Sequence, residues 1–327
     1  MQPLPLSAQT LYANLAQGMS FSSTRAGSIF TQVARSKRYL YVTEKHGATR
    51  LQTYLGPADD PNVQRKADDI RRAEQAAKLR RTTVSTLKRM GLPAPTLYVG
   101  RLLEVLAKAG LFQGGVVLVG TAAYALYSPL VGVALSHAAM STEDADLAVA
   151  SLAVTSAMAD ETLLDILKRA DPTFVSQLGL DPRSPPRRFR SSAGFEVDVI
   201  TRYRKRADEE RAVRLAGLQC SAQPLRYLEY LFQEPVTAVA LYGAGVEVAV
   251  PQPARYAVHK LIVAQVRIET SIKHRKDLAQ AKELIAVLNE NDPHRFSDAL
   301  EDARRRGSKW RSLISRSLSE IGLGRNS

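Results

Sequence analysis

From Ala109 to Thr142 the chain carries no Lys, Arg, Asp or Glu. An uncharged run of that length must be buried, either in lipid or in a protein core. Its internal punctuation decides between the two. Gly110, Gly114, Gly115, Gly120, Pro129 and Gly132 interrupt it, together with several polar residues, and these breaks cut it into pieces too short to span a bilayer. Gly114 to Val119 reads as a compact β-branched strand, Gly120-Thr121 as a tight step, and 121 to about 130 as a buried helix. No membrane segment is expected. Met1 to Leu11 contains Pro3 and Pro5 and no basic start before an apolar core, so it does not read as a signal peptide.

Around this run the chain divides into three regions. Residues 7 to 34 read as helical, Arg38 to Gly56 alternates as a β-hairpin turning at His46-Gly47, and Pro61 to Met90 reads as one long helix. That helix is rich in Arg and Lys, and such a surface either is simply solvated or contacts phosphates. Residues 1 to 94 therefore form an accessory helix and hairpin unit. Residues 95 to 252 hold a helix at 97 to 110, the strand at 114 to 119, strands at Asp144 to Ala150 and Phe195 to Ile200, and a helix at 160 to 170. An arginine-rich loop runs from Asp181 to Arg190, and two further strands, Val236 to Tyr242 and Val246 to Val250, close the region. Residues 253 to 327 are almost entirely helical, with breaks near Glu269 to Ser271, Asn291 to Pro293 and Gly307. The expected architecture is α+β, a mixed sheet flanked by helices and followed by a helical C-terminal region.

With 327 residues, 45% hydrophobic and 24% charged, the composition is that of a globular protein. The formal net charge of +13 favours polyanionic partners such as RNA, nucleotides or acidic surfaces. Cys220 is the single cysteine, which excludes an internal disulfide and an all-cysteine metal site and suits a reducing cytoplasm.

In Thr142-Glu143-Asp144-Ala145-Asp146-Leu147, strand alternation sends Asp144 and Asp146 to one face and Ala145 and Leu147 to the other. Phe195-Glu196-Val197-Asp198-Val199-Ile200 repeats the pattern, so Asp198 can complete a carboxylate triad, with Glu196 as the competing candidate earlier on the strand. Three carboxylates suit one or two magnesium ions, which take oxygen ligands and bridge phosphates. Gly120-Thr121 follows a buried strand, where glycine permits close approach and a hydroxyl can meet a nucleotide phosphate; a plain helix cap at Thr121 is the simpler alternative. Lys260 and Arg267 are two helical turns apart and share a face. His259 has no identifiable carboxylate partner and reads as a packing residue.

The order of a hydrophobic strand, Gly-Thr, Thr-x-Asp-x-Asp-Leu and a later Val-Asp-Val-Ile-Thr resembles the nucleotidyltransferase fold of DNA polymerase β and the kanamycin nucleotidyltransferases. The run Pro253 to Val263 is similar to that of a bacterial family of nucleotidyltransferase fold proteins, which has toxins of toxin–antitoxin pairs among its relatives. The resemblance covers roughly residues 95 to 290. It implies that Lys260, Arg267 and the Lys276-Asp277 pair border the nucleotide, with Gly120 and Thr121 at its phosphates. Gln280 stands where some toxin relatives carry an acid.

The expected activity is transfer of a nucleoside monophosphate from a nucleoside triphosphate, ATP among them, to a hydroxyl. Asp144, Asp146 and Asp198 would hold magnesium, with manganese as its substitute. The acceptor is left open among RNA or a tRNA end, a protein side chain and a small molecule; the arginines at 183, 187, 188 and 190 speak for RNA through phosphate contacts. A toxin role and a cognate antitoxin follow by analogy alone. The competing expectation is a nucleic-acid-binding or regulatory module that keeps the fold without turnover.

Overall fold

The computed structural model describes residues 2–20, 26–46, 49–136, 144–149, 161–177, 184–203 and 212–324. Gly47, Thr142, Glu143, Ala150 and the 181–183 part of the arginine-rich loop, all used in the sequence reading, lie outside them.

The central sheet is mixed. Strand β5 (Val116–Val119), four buried residues between Gly115 and Gly120, pairs antiparallel with β7 (Asp144–Val149). Strand β7 runs parallel to β10 (Glu196–Arg202), and β10 runs parallel to β12 (Cys220–Leu225), whose outer edge takes β11 (Val213–Leu215) antiparallel. The first half of β10 is paired on the same side by β9 (Arg188–Arg190), which in turn pairs β8 (Val175–Gln177). The hairpin β13 (Val236–Ala240) to β14 (Val246–Val250) is a separate two-stranded sheet, and the short strands β1 (Gln2–Pro3) and β6 (Val133–Ala134) form another.

Helix α3 (Leu97–Lys108) begins where Thr96 Oγ1 accepts from the Val99 N–H at 3.3 Å, and it buries Leu102, Leu103 and Leu106. It packs with α6 (Leu163–Ala170), which Thr162 and Asp165 close with a reciprocal capping box. Helix α7 (Pro253–Ala264) is buried almost all round because α8 (Ile272–Asn291), α9 (Pro293–Arg305) and α10 (Ser308–Glu320) all pack on the same core. Their boundaries fall at the breaks expected from the sequence. Among the described residues no helix is long and apolar enough to cross a membrane.

Two segments depart from expectation. Residues 7 to 34 are not continuous helix: α1 (Leu6–Ser20) is followed by β2 (Ser28–Ala34), which pairs with β3 (Lys37–His46). Ser28-Ile29-Phe30-Thr31-Gln32-Val33 has the β-branched and aromatic character of a strand, and cross-strand pairing overrides its weak helical spacing. The stretch from 121 to 130 also splits, into α4 (Gly120–Tyr124) and α5 (Ser128–Val131), with Pro129 in the first turn of the second.

The hairpin of β3 and β4 (Thr49–Pro57) joins β2 in a three-stranded antiparallel sheet, and α2 (Pro61–Arg89) covers one of its faces. Helix α1 and the end of α2 meet β13 in a cluster that includes Tyr12, Leu15, Leu87, Val239 and Leu241. There the Val239 N–H donates to the Tyr12 hydroxyl at 2.7 Å.

Candidate active site

Parallel pairing sets Asp144 opposite Glu196 and Asp146 opposite Asp198, while Val119 stands opposite Asp146 on the other side. Ala145, Leu147, Val197 and Val199 are buried on the far face, so the four acids line one face at the C-terminal end of β5. Adjacent strands lie about 4.8 Å apart, close enough for the carboxylates to feel one another. Burial, then the charges of Asp144 and Asp198, raise the Asp146 pKa to about 6, and Lys260 and Lys273 pull against that rise.

Gly120 makes this crowding sterically feasible. Its φ is +68°, and a Cβ there would lie 2.5 Å from Asp146 Oδ2. Helix α4, which follows, is only five residues long, so it offers a phosphate its free backbone N–H groups and the Thr121 hydroxyl more than a helix dipole. Clearance for Asp146 is what the glycine supplies. Thr121 follows in the first turn of α4, half-buried. The corner is tied to α7 by the Tyr256 hydroxyl, which donates to the Gly120 carbonyl at 2.8 Å. Gln280 Oε1 lies 3.0 Å from the same hydroxyl, and Gln280 is wholly buried, so it serves packing between α7 and α8.

Helix α7 ends at Ala264, so Arg267 stands in the turn beyond it and does not share a helical face with Lys260, yet both reach one buried acid. Asp277, 3% exposed, accepts from Lys260 Nζ and, at 2.6 Å, from Arg267 Nε. Lys260 also lies 5.2 Å from the centre of the Tyr256 ring. Burial lowers the Lys276 pKa, and the charge of Asp144 is the first influence acting against that. Lys273 acts on Asp146 in the same way and was missed by the sequence reading. The signal was available: Lys273 and Lys276 are three residues apart and share a helical face.

The arginine-rich loop is also put to a different use. Arg188 grips Asp198 with both arms, Nε to Oδ1 at 2.5 Å and Nη2 to Oδ2 at 3.0 Å. That contact raises the Arg188 pKa further. Arg190 Nε lies 3.7 Å from Glu196. The antiparallel register of β9 on β10, Arg188 opposite Asp198 and Arg190 opposite Glu196, produces both contacts. His259 is buried and its pKa falls to about 3, which makes it neutral. Its Nε2 has no hydrogen-bond partner among the described residues, in keeping with a packing role.

A hard divalent cation fits the chemistry of this donor set: all oxygen, mutually repelling, with Asp146 the most crowded. Among the described residues no three acids, cysteines or histidines are grouped as a ready metal cage. Asp198 is held by Arg188, which occupies a lone pair on each of its oxygens and so competes with any cation shared with Asp144 and Asp146.

A family model described as Nucleotidyltransferase matches residues 98–305. No curated protein matches the chain. Among solved structures it is similar to the crystal structure of an antigenic nucleotidyltransferase-like protein from Paracoccidioides brasiliensis. The identity is 15%, over 68% of this chain and 94% of that one, with a TM-score of 0.34. The family match spans more than half of the sequence and takes in all four acids and the cations of α7 and α8, and the chain belongs to the nucleotidyltransferase family.

Proposed function

We propose that the chain transfers a nucleoside monophosphate from a nucleoside triphosphate to a hydroxyl acceptor at the face formed by β7 and β10. The observation that carries this reading is the register that sets Asp146 beside Asp198 and Asp144 beside Glu196 on one face, within reach of the charges of Lys260, Lys273 and Lys276. Magnesium, or manganese in its place, would be held by Asp144, Asp146 and Asp198, and when bound it neutralises phosphate charge and acidifies a coordinated hydroxyl. Lys260, Lys273 and Lys276 bind the triphosphate oxygens, and Arg267 steadies Asp277 and with it Lys260. The acceptor oxygen attacks the α-phosphorus, the bond to the β-phosphate oxygen breaks, and pyrophosphate leaves. The hydroxyl proton passes to Asp198 once Arg188 has released it. Gly120 and Thr121 flank the phosphates through their backbone and hydroxyl.

The Arg188 grip on Asp198 favours a second reading, a module of the same fold that binds nucleic acid without turnover. Magnesium-dependent transfer of label from each of the four nucleoside triphosphates to total RNA, to protein and to small hydroxyl compounds separates the two. The wild type transfers label and the Asp144→Ala plus Asp146→Ala variant does not. No transfer to any acceptor, with salt-sensitive RNA binding equal in both proteins, would sink the enzyme reading.

A further inference from the structure

We propose that the outer face of the β2–β4 sheet is a platform for single-stranded RNA, a binding site separate from the carboxylate face and independent of the catalytic reading. The sheet has two unlike faces. Leu40 and Val42, with Ile29 and Leu55, turn toward Val63 and Ala67 of α2 and satisfy the apolar demand of this unit. On the opposite face, register sets Phe30 opposite Tyr41 and Tyr41 opposite Tyr54, one aromatic from each strand in a row. Phe30 and Tyr41 stack with centroids 5.5 Å apart; Tyr41 and Tyr54 lie 5.3 Å apart, and Tyr39 lies 6.0 Å from Tyr54.

Aromatic pairs across strands stabilise any sheet, but the charge and exposure here go beyond that need. Tyr54 is 51% exposed. Glu44 is the only acid between Ala26 and Pro57, and it is buried on the α2 side. Exposed Arg35, Lys37, Arg38 and Arg50 rim the sheet. Arg35 and Ser36, both with positive φ, form the tight turn that carries Lys37 and Arg38 at the sheet's end. A basic rim around exposed rings, with no acid on the ring face, complements a flexible polyanion whose unpaired bases can stack. The uncharged polar groups on the face, the tyrosine phenols with Thr43 and Gln52, can both donate to and accept from a ribose 2′-hydroxyl, which selects RNA. By contrast, the arginines of α2 are partly consumed by their own helix: Arg71 pairs with Asp68, Arg72 with Asp69 and Arg81 with Glu74.

The test is equilibrium binding of labelled oligouridine RNA to the full chain, by fluorescence anisotropy, in EDTA and without nucleotide so that catalysis plays no part. Phe30→Ala plus Tyr54→Ala is expected to weaken binding at least about tenfold, and Tyr54→Trp to retain it. Lys37→Glu plus Arg50→Glu should weaken binding and flatten its salt dependence. Unchanged melting temperatures would show the sheet intact, and the single Tyr54→Ser substitution at the exposed ring gives a second readout if the double alanine variant unfolds, since it removes one stacking ring and should itself weaken binding several-fold. Wild-type affinity in the alanine or serine variants and in the charge-reversed variant would overturn the proposal. So would equal affinity for oligodeoxyuridine or duplex RNA, or self-association through this face in place of RNA binding.

Discussion

Asp198 stands directly across the β7–β10 pair from Asp146, and after burial and the Asp144 charge its own charge helps to raise the Asp146 pKa to about 6. The sign of the resulting pH effect follows from that rise. Well below pH 4 Asp146 is protonated in both folded and unfolded chains and costs nothing; from about pH 4 the unfolded chain ionises first, so stability falls until about pH 6 and the full cost persists above it. Asp146→Asn should therefore match the wild type well below pH 4 and be more stable at neutral pH, by on the order of 1–2 kcal/mol once partial solvent exposure is discounted. Thermal melts in EDTA at the two pH values check this. Added magnesium should raise the melting temperature of the wild type and leave that of Asp146→Asn nearly unmoved.

Gly120→Ala combines two costs. Its left-handed backbone imposes about 1–2 kcal/mol on any residue with a Cβ, and the new methyl would also push into Asp146 Oδ2. Gly91→Ala is the control, because Gly91 has φ +86° and open space around it. Urea denaturation of both should show a comparable backbone cost. Only Gly120→Ala should also blunt stabilisation by magnesium, since only that methyl moves a site carboxylate.

The strand alternation around Asp144, Asp146 and Asp198 was legible because each segment has buried residues at every second position, so the periodicity alone assigns the faces. The C-terminal helices were legible from their breaks. Strand β2 was not, since its seven residues gain their preference from a partner strand. The three-residue strands β8, β9 and β11 are too short to carry a period of their own. Partnership was harder still. Spacing put Lys260 and Arg267 on one helical face, but α7 ends at Ala264, and what brings the two together is Asp277 of the next helix. Likewise Arg188-Phe189-Arg190 looked like a loop poised for phosphates until the register of β9 on β10 set its two arginines against Asp198 and Glu196.

The Lys260–Asp277–Arg267 arrangement predicts an asymmetry. Asp277 holds two cations, of which Lys260 is buried with it and Arg267 is more exposed, at 39% of its side chain. Asp277→Ala leaves the Lys260 ammonium buried without a counter-charge, and removing one partner of a buried pair costs about 3–5 kcal/mol. Lys260→Met should cost less, because Arg267 still neutralises Asp277 and the methionine fills the space beside Tyr256. Chemical denaturation of the two variants measures the difference. Equal losses would mean that Arg267 does not compensate.

Arg188 and a divalent cation compete for the Asp198 oxygens. The pair is two-armed but partly solvent-exposed, 49% at Arg188 and 27% at Asp198, so releasing it costs on the order of 1 kcal/mol. That cost is subtracted from the affinity of any cation that needs Asp198. Arg188→Ala is therefore expected to bind manganese about fivefold more tightly than the wild type, read by calorimetry or by the manganese paramagnetic signal in the absence of nucleotide. Arg188→Lys should fall between the two, because an ammonium can meet one carboxylate oxygen but cannot reproduce the planar two-armed contact. Unchanged affinity in both variants would mean that Asp198 takes no part in holding the cation, leaving Asp144 and Asp146 as the metal-binding pair.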